Sequence, residues 1–462
     1  MVNILLAVFF VLFYTKTVVN SREIVFDGIP NDDSLEIQII NGKSLNSSLN
    51  ALLPGDIFII KNQTYFTQGG IIVTTELNDV IINIQGTLKF NNDRSTYPTN
   101  EIGVLECLHF QGFLNNVTFT SYLEDDNYPD LGDQSTRGTI DGGGRPWWGA
   151  IDYLKYQEDR PRLFVIDASK NIIFERILLL NSPFWSFWAQ NSDNLIIRYS
   201  EVYIETKYQK HSLWDLQKFN TDGYDVTGRN IHIHDVNVYN NDDCICIKDD
   251  TQNVLVENVV TSGLGLVVGS IGSSHVSNIT FKNAIMPYTI KGIYLKTRWR
   301  DEGPSANLRI GISDVLYENI TIIKPQQFAI WLGPAQQAGQ HCSLLWPIVD
   351  KAECRMSGYQ HWNNIRLKDI LVIDPKYSPG VFLGNDTNPI KNVFLENVFV
   401  QLSNDTIKEF KDIRDFKNTR DAKSGQDLGS ELDPWGLEYY RDNIKNGISQ
   451  DTSPPPSCFT EV

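Results

Sequence analysis

The chain has 462 residues, 41% of them hydrophobic, and a formal net charge of −16 at pH 7. This length and composition allow a large buried core, in one elongated domain or in several compact ones. The acidic balance provides no basic surface of the kind that nucleic-acid binding requires, which argues against a nucleic-acid partner.

The first predicted element is a secretory signal peptide at residues 1–20. Its apolar run from Ile4 to Tyr14 suits an h-region and is shorter than the ~20 residues that span a bilayer, although a membrane anchor is the alternative. We expect a secreted, extracellular protein with no membrane segment after cleavage. Sequons that fit a glycoprotein begin at Asn46, Asn62, Asn116, Asn278, Asn319, Asn385 and Asn404.

The region after the signal peptide is dominated by one recurring β-rich segment. Each copy opens near an Asn and alternates apolar residues, and the copies begin at Asn171, Asn194, Asn230, Asn253, Asn278, Asn319, Asn364 and Asn392. The closest intervals are 194 − 171 = 23, 253 − 230 = 23 and 278 − 253 = 25 residues. Such a period is typical of a solenoid, and the pattern fits neither a leucine-rich repeat nor a propeller. The sequence therefore predicts an all-β fold, a parallel β-helix.

The repeat pattern also predicts the domain organisation. Residues 21–403 should form a single parallel β-helix domain that includes an N-terminal cap at residues 21–100, because a solenoid end must be covered. Residues 404–462 lose the repeat and become charge-rich and then Pro-rich, so we expect a C-terminal cover and tail. We expect a monomer.

The glycines of "TSGLGLVVGSIG" (261–272) do not form a dinucleotide-binding loop. The third glycine comes one residue late for G-x-G-x-x-G, and Gly269 and Gly272 prevent a following helix. No cofactor is predicted. No C-x-x-C or paired His/Cys spacing occurs, so no metal site is predicted either. Cys342 and Cys354 are the expected disulfide, whereas Cys244 and Cys246 read as buried small side chains.

Four stretches that carry candidate chemistry follow one another at repeat-like intervals. They are "NTDGYDV" with Asp222, "NNDDCICIKD" with Asp242 and Asp243, "GLGLVVGSIG" with Leu264, and "KGIYLKTR" with Tyr294, Lys296 and Arg298. The first two steps are 243 − 222 = 21 and 264 − 243 = 21, and the third is 294 − 264 = 30. The carboxylates should therefore lie on adjacent coils of one face.

Crowded carboxylates of this kind suit the hydrolysis of a glycosidic bond. Mutual repulsion raises at least one pKa, so that an acid can stay protonated beside an ionised base. Inverting glycosidases hold the two groups ~6.5–9.5 Å apart, about the span of neighbouring coils. Three further carboxyl groups, Asp225, Asp249 and Asp250, read as turn residues instead.

The four stretches, in this order, resemble the signature of the polygalacturonases, glycoside hydrolase family 28: N-T-D, D-D, G-H-G and R-x-K. "GTIDGGGRPWW" (138–148) and "NSPFWSFW" (181–188) also resemble that family. The resemblance covers about residues 25–400 and implies a right-handed parallel β-helix that hydrolyses pectic polysaccharide with inversion. It implies that Asp243 is the general acid and that Asp222 and Asp242 activate water.

Two departures from the family pattern concern substrate binding. Leu264 stands where the family has His, and Tyr294 stands where it has the Arg that, with Lys296, holds a galacturonate carboxylate. Tyr cannot bind a carboxylate bidentately. We expect Leu264, Tyr294, Lys296 and Arg298 to line a substrate site that prefers rhamnogalacturonan or a substituted galacturonan to homogalacturonan. A non-catalytic carbohydrate-binding β-helix and a polysaccharide lyase are the alternatives.

Overall fold

The computed structural model describes residues 21–122, 138–149, 159–205, 218–298, 310–336, 342–345, 354, 356–377, 379–405, 439–457 and 459–462. The predicted signal peptide at residues 1–20 lies outside the described residues, as do residues 406–438 of the predicted cover. Within the described part of the chain, no helix is long and apolar enough to cross a membrane.

Most of the described residues form short strands. The N-terminal strands are β1 (Glu23–Val25), β2 (Ile57–Ile60), β3 (Thr64–Thr67), β4 (Ile71–Val73), β5 (Leu77–Asn78), β6 (Ile81–Ile84), β7 (Thr87–Phe90), β8 (Thr99–Asn100), β9 (Gly103–Val104), β10 (Leu108–Phe110), β11 (Leu114–Thr120) and β12 (Gly138–Asp141). The central strands are β13 (Phe164–Ile166), β14 (Ser169–Glu175), β15 (Ile177–Leu180), β16 (Phe187–Arg198), β17 (Glu201–Tyr203), β18 (Tyr224–Tyr239), β19 (Ile245–Ile247), β20 (Gln252–Ser262), β21 (Leu266–Ile271), β22 (His275–Pro287) and β23 (Ile293–Thr297). The last strands are β24 (Ile310–Ile323), β25 (Ile330–Pro334), β26 (Gln360–Ile373), β27 (Gly380–Leu383), β28 (Ile390–Gln401), β29 (Tyr440–Asp442), β30 (Ile444–Gln450) and β31 (Thr460–Glu461). The helices are α1 (Leu35–Asn50) and α2 (Cys342–Leu345).

The strands form a right-handed parallel β-helix, which confirms the predicted fold. Apart from the antiparallel pair β8–β9, the strands belong to one large sheet in which successive coils pair in parallel. Ile231 pairs with Val254, and Val254 with Ile279, at separations of 23 and 25 residues. Because parallel pairing keeps register from coil to coil, residues one repeat apart become neighbours on one face.

The recurring Asn residues mark a turn between two faces of the coil. Asn230, Asn253 and Asn278 have φ values of 56, 60 and 59°, in the left-handed region that Asn tolerates better than most residues. Their side chains also bond between coils: Asn278 Nδ2 donates to Asn253 Oδ1 over 2.8 Å. The Asn repeat seen in the sequence therefore arises from backbone conformation together with an inter-coil ladder.

The interior of the coil is filled by side chains stacked in the same way. Phe164 lies between the rings of Phe119, Phe174 and Phe187, with ring centroids 5.1 to 5.4 Å apart. These rings are buried in one continuous core with the aliphatic residues of the other strands. The aromatic stack thus continues the same coil-to-coil register inside the solenoid.

The two ends of the solenoid differ from its middle. At the N-terminal end, helix α1 packs against β3 and β4 and buries Leu45 and Leu49 in the main core. At the C-terminal end, β29 pairs in parallel with β27, and β30 with β28. These strands lie beyond residue 403, at which the repeat pattern placed the end of the solenoid.

Candidate active site

The structure brings together the three carboxylates of the sequence motifs. Asp222 precedes β18, and Asp242 and Asp243 precede β19 on the next coil, where Gly223 N donates to Asp243 O over 2.9 Å. One oxygen of each carboxyl group lies within 4.8 Å of the others. This is a distance between single oxygens, whereas the predicted ~6.5–9.5 Å of inverting enzymes separates whole carboxyl groups. The three groups therefore form one compact acidic cluster.

Lys296 provides a cation directly against this cluster. Its Nζ donates to Asp243 Oδ1 over 2.9 Å and to Oδ2 over 2.8 Å, and it also lies 4.2 Å from the centroid of the Tyr294 ring. Burial disfavours the charged form of Lys296, but the Asp243 carboxylate outweighs burial and raises the pKa of the ammonium. The pair is a buried ion pair with two hydrogen bonds.

Lys248 is a second cation at the cluster, and the sequence analysis missed it. Its Nζ lies 3.4 Å from Asp225 Oδ1, 3.6 Å from Asp222 Oδ2 and 3.8 Å from Asp243 Oδ2. It also lies 5.0 Å from the centroid of the Trp185 ring. A signal was present in the sequence, because 248 − 225 = 23 is itself one repeat. A single Lys after a strand nevertheless looks like an ordinary solvated side chain.

The turn position predicted for Asp225 is wrong. Asp225 is the second residue of strand β18, and its side chain is completely buried. Burial raises its pKa to about 7, even though Lys248 favours the carboxylate form. The turn interpretation does fit Asp249, whose Oδ1 accepts hydrogen bonds from the backbone N–H groups of Ser273 and Ser274.

Burial also determines the charge state of the motif carboxylates. The pKa of Asp222 is raised well above its usual range by burial and then by the neighbouring Asp225. The pKa of Asp242 is raised to about 6 by burial and by Asp243, against the opposing effect of Lys296. The cluster therefore holds at least one proton near neutral pH. The Lys296 ammonium stabilises charge on Asp243, which is unfavourable for the general-acid role predicted for that residue.

The compact cluster has the donors for a cation, but its charges favour proton transfer. Three carboxylate oxygens at this spacing could coordinate a metal ion. Both oxygens of Asp243 already accept hydrogen bonds from Lys296, and Lys248 lies 3.6 Å from Asp222. A further cation would be repelled by these two ammonium groups. We therefore treat the cluster as an acid and base site.

Leu264 and Tyr294 do not lie on the exposed surface predicted for a sugar contact. They are 3% and 0% exposed and pack in an apolar cluster with Val267, Phe328 and Trp331. The Tyr294 hydroxyl is hydrogen-bonded to Ser343 Oγ at 2.5 Å, so its polar atom is already used. The sequence could not reveal this cover, because Ser343 is 49 residues away along the chain.

The remaining predicted residues are Arg298 and the cysteines, of which Cys246, Cys342 and Cys354 belong to this apolar cluster. Arg298 follows β23 and is exposed, and its backbone N–H donates to Ile271 O over 2.8 Å. Cys342, the neighbour of Ser343, is joined to Cys354 by a disulfide, which confirms the predicted pair. Cys244 and Cys246 are buried and unpaired, also as predicted.

The glycines around Leu264 allow close backbone approach. A Cβ at Gly263 would lie 2.0 Å from Asn240 Oδ1, and one at Gly265 would lie 2.0 Å from Gly292 O. Gly265 also has φ +79°, which side chains rarely adopt. The glycine pattern is thus a packing requirement of adjacent coils and not a phosphate-binding loop.

Comparison with known proteins shows that the candidate site lies within a segment that matches a family model. Residues 132–333, which include all the motif carboxylates and both lysines, match the profile of Glycosyl hydrolases family 28. The chain is 29% identical over 297 residues to an exopolygalacturonase of Cochliobolus carbonum, covering 60% of each chain. It is 25% identical over 266 residues to the α-L-rhamnosidase rgxB of Aspergillus niger, covering 54% of this chain and 56% of that protein. The aligned regions thus span less than two thirds of these relatives.

A solved structure shows the same fold. The exopolygalacturonase of Thermotoga maritima superposes with a TM-score of 0.57 at 16% identity, covering 82% of this chain and 90% of the other. At this identity the likeness concerns the fold alone, and it agrees with the parallel β-helix described above.

Proposed function

We propose that the chain, whose residues 132–333 match Glycosyl hydrolases family 28, is a secreted hydrolase of that family that cleaves glycosidic bonds in a pectic polysaccharide. The observation that carries the proposal is the carboxylate cluster, in which Asp222, Asp242 and Asp243 lie within 4.8 Å of one another with Lys296 bonded to Asp243. Hydrolysis needs a group that can donate a proton and a group that can accept one, and burial beside two cations supports both states in one cluster.

The two roles follow from the charge environment of each carboxylate. Asp243 bonds to Lys296 and lies near Lys248, so it is assigned as the ionised group that activates water. Asp242, with a pKa of about 6, is assigned as the proton donor to the leaving oxygen. Asp222 Oδ1 has no hydrogen-bond partner among the described residues, so it is available to orient the attacking water.

Inversion of configuration is part of the proposal. A water activated by Asp243 attacks the anomeric carbon, while Asp242 protonates the leaving glycosidic oxygen on the other face of the sugar. No covalent intermediate forms. The short distances in the cluster would also suit a carboxylate nucleophile, so the stereochemistry of the product must be measured. Proton NMR of the first-formed product should show the inverted anomer, whereas a retained anomer would contradict the water mechanism.

The substrate proposed is a pectic polymer with a neutral or deoxy sugar at the cleavage site. The position of Tyr294 offers no bidentate partner to a carboxylate, and Lys296 is already paired with Asp243. Four buried carboxyl groups face two lysines in this cluster, so an acidic sugar would meet unfavourable charge. Similarity to both an exopolygalacturonase and an α-L-rhamnosidase supports a polymer that contains both sugars.

The test is product analysis on homogalacturonan and rhamnogalacturonan. We expect new saturated reducing ends, with a higher kcat/KM on rhamnogalacturonan. Unsaturated ends would identify a lyase, and the absence of new ends on a wider panel of polysaccharides would identify a binding protein. Asp243→Asn is the inactive control, and Asp33→Asn, at an exposed position before helix α1, is the matched carboxylate control.

A further inference from the structure

Lys248 is the one cation of the described site that reaches two motif carboxylates on different coils. Its Nζ lies 3.6 Å from Asp222 Oδ2 and 3.8 Å from Asp243 Oδ2, and its side chain is 16% exposed. Lys296, by comparison, bonds to both oxygens of Asp243. Moving Lys248 would therefore change two members of the cluster together.

Asp225 holds Lys248 in this place. The two residues lie on adjacent coils: Asp225 of β18 pairs in register with Cys246 of β19, and Lys248 directly follows β19. Asp225 Oδ1 is 3.4 Å from Lys248 Nζ, the shortest of the three carboxylate distances. The Asp225 side chain is completely buried, and neither of its oxygens has a hydrogen-bond partner in the usual geometry among the described residues. A buried carboxyl group with so few alternatives depends on this ammonium group.

We propose that Lys248, anchored by Asp225, is a positioning residue that fixes the geometry and the charge of the Asp222 and Asp243 carboxylates. The inference rests on the proposed hydrolase function and concerns the same site. Lys248 would hold the two carboxylates at a fixed separation, so that Asp243 can activate the attacking water while Asp222 orients it. Neither Lys248 nor Asp225 would form a bond to the substrate or exchange a proton with it.

The charges around Lys248 fix the direction of the expected pH effects. The ionisable groups that face it come from three coils and are Asp222, Asp225, Asp243, Cys246 and Lys296. Removal of the Lys248 charge disfavours the ionised form of the neighbouring carboxylates, so a base among them would ionise at higher pH. Asp225 opposes Lys248 with a negative charge only near and above its own pKa of about 7, so its replacement by Asn changes this balance little at acidic pH.

The experiment compares Lys248→Met, Asp225→Asn and the double variant on the polysaccharide that the wild type cleaves. Lys248→Met should lower kcat by about 10- to 100-fold, less than the loss of an acid or base, which costs ~10²–10⁴-fold. KM should stay within about twofold, because the residue does not contact substrate. The acidic limb of the pH profile should move up in Lys248→Met and in the double variant. It should stay near that of the wild type in Asp225→Asn, because Asp225, with a pKa of about 7, is already protonated in that range.

Controls separate this role from folding and from the proposed function. Lys282→Met removes a lysine whose partner is Glu257, 3.0 Å away and outside the site, and it should leave the pH profile unchanged. Lys248→Arg keeps the charge and should recover the wild-type pH profile. An unchanged profile in Lys248→Met, or an acidic limb that moves down in the double variant, would overturn the inference. If the wild type produces no new reducing ends, the proposed function fails instead.

Discussion

The carboxyl group of Asp242 illustrates how burial prepares a single residue for proton transfer. Its two oxygens accept hydrogen bonds from the backbone N–H groups of Asn220 and Asp243, at 2.9 and 2.8 Å, and these bonds favour the charged form. Burial and the charge of Asp243 outweigh them and raise the pKa to about 6. A general acid works best with a pKa near the working pH, so Asp242 is suited to donate a proton under mildly acidic conditions.

The proposed roles of Asp242 and Asp243 can be separated by the leaving group. Asp242→Asn and Asp243→Asn should each lower kcat/KM on polysaccharide by ~10²–10⁴-fold. On an aryl glycoside, whose leaving group departs without protonation, Asp242→Asn should regain most of the lost activity, because only proton donation is missing. Asp243→Asn should stay impaired, since water must still be activated. Recovery of Asp243→Asn instead would restore the role that the sequence motif assigned to Asp243.

Tyr294 provides a second test at the level of one residue. Tyr294→Phe removes the hydroxyl that bonds to Ser343 and leaves the ring in the apolar cluster. We expect the free energy of unfolding to fall by about 1–2 kcal/mol, while KM stays unchanged. Denaturant unfolding and steady-state kinetics on one preparation measure both. A raised KM with unchanged stability would show that Tyr294 contacts the sugar, as the sequence alone suggested.

The sequence predicted the motif residues better than their surroundings. The 21-residue steps placed Asp222 near the Asp242–Asp243 pair because parallel coils stack in register. Lys248 and Asp225 were missed because each lacks a distinctive neighbour pattern. The burial of Leu264 and Tyr294 was missed because Phe328 and Trp331, which share their apolar cluster, and Ser343, which bonds to Tyr294, are distant in sequence.

Among the elements, the turns that contain Asn connect sequence and fold most directly. Every repeat opening named from the sequence, from Asn171 to Asn392, has φ between 53 and 62°. The strands alone would reveal the repeat less clearly, because the spacing between paired residues is irregular. Leu195 pairs with Ile231 after 36 residues, whereas Ile231 pairs with Val254 after 23. The polar strand β30 escaped prediction because Lys445, Asn446 and Gly447 interrupt the apolar pattern.

The Asn ladder predicts a measurable difference between two substitutions at Asn253. Asn253 Nδ2 donates to Asn230 Oδ1, and its own Oδ1 accepts from Asn278, with φ at 60°. Asn253→Ala loses both hydrogen bonds and strains the backbone, so we expect a loss of about 2 kcal/mol in stability. Asn253→Gly loses the hydrogen bonds but tolerates the backbone conformation, and should cost about 1 kcal/mol less. Equal losses by thermal unfolding would show that backbone strain plays no part.

At the scale of the whole molecule, the net negative charge of the chain and the buried carboxylates of the site both affect how activity depends on pH. The net charge of −16 disfavours approach of a polyanion at neutral pH and does so less as carboxylates become protonated. Protonation of the site carboxylates in the same range supplies the acid that hydrolysis needs. Activity on a pectic polymer should therefore be greatest at mildly acidic pH.

The same buried carboxylates make the stability of the whole protein depend on pH. The folded-state pKa values of Asp242 and Asp225, about 6 and about 7, lie above the usual value of a free Asp. A group with a raised pKa binds its proton more tightly in the folded state, so its contribution is complete below ~pH 4 and is lost as pH rises through the folded pKa. The melting temperature should therefore fall by several degrees between about pH 4.5 and about pH 7.

Variants connect this pH dependence to the site. Asp225→Asn and Asp242→Asn each remove one buried ionisation, so the melting temperature of each should change less over this interval than that of the wild type. Asp33→Asn, at an exposed position, should retain the full change. Carboxylates with lowered pKa, such as Asp56 beside Arg22, act in the opposite sense, but they lose their contribution at lower pH, outside this interval. If the melting temperature rises from about pH 4.5 to about pH 7, and does so equally in the wild type and the variants, the carboxylate cluster does not determine the pH dependence of stability.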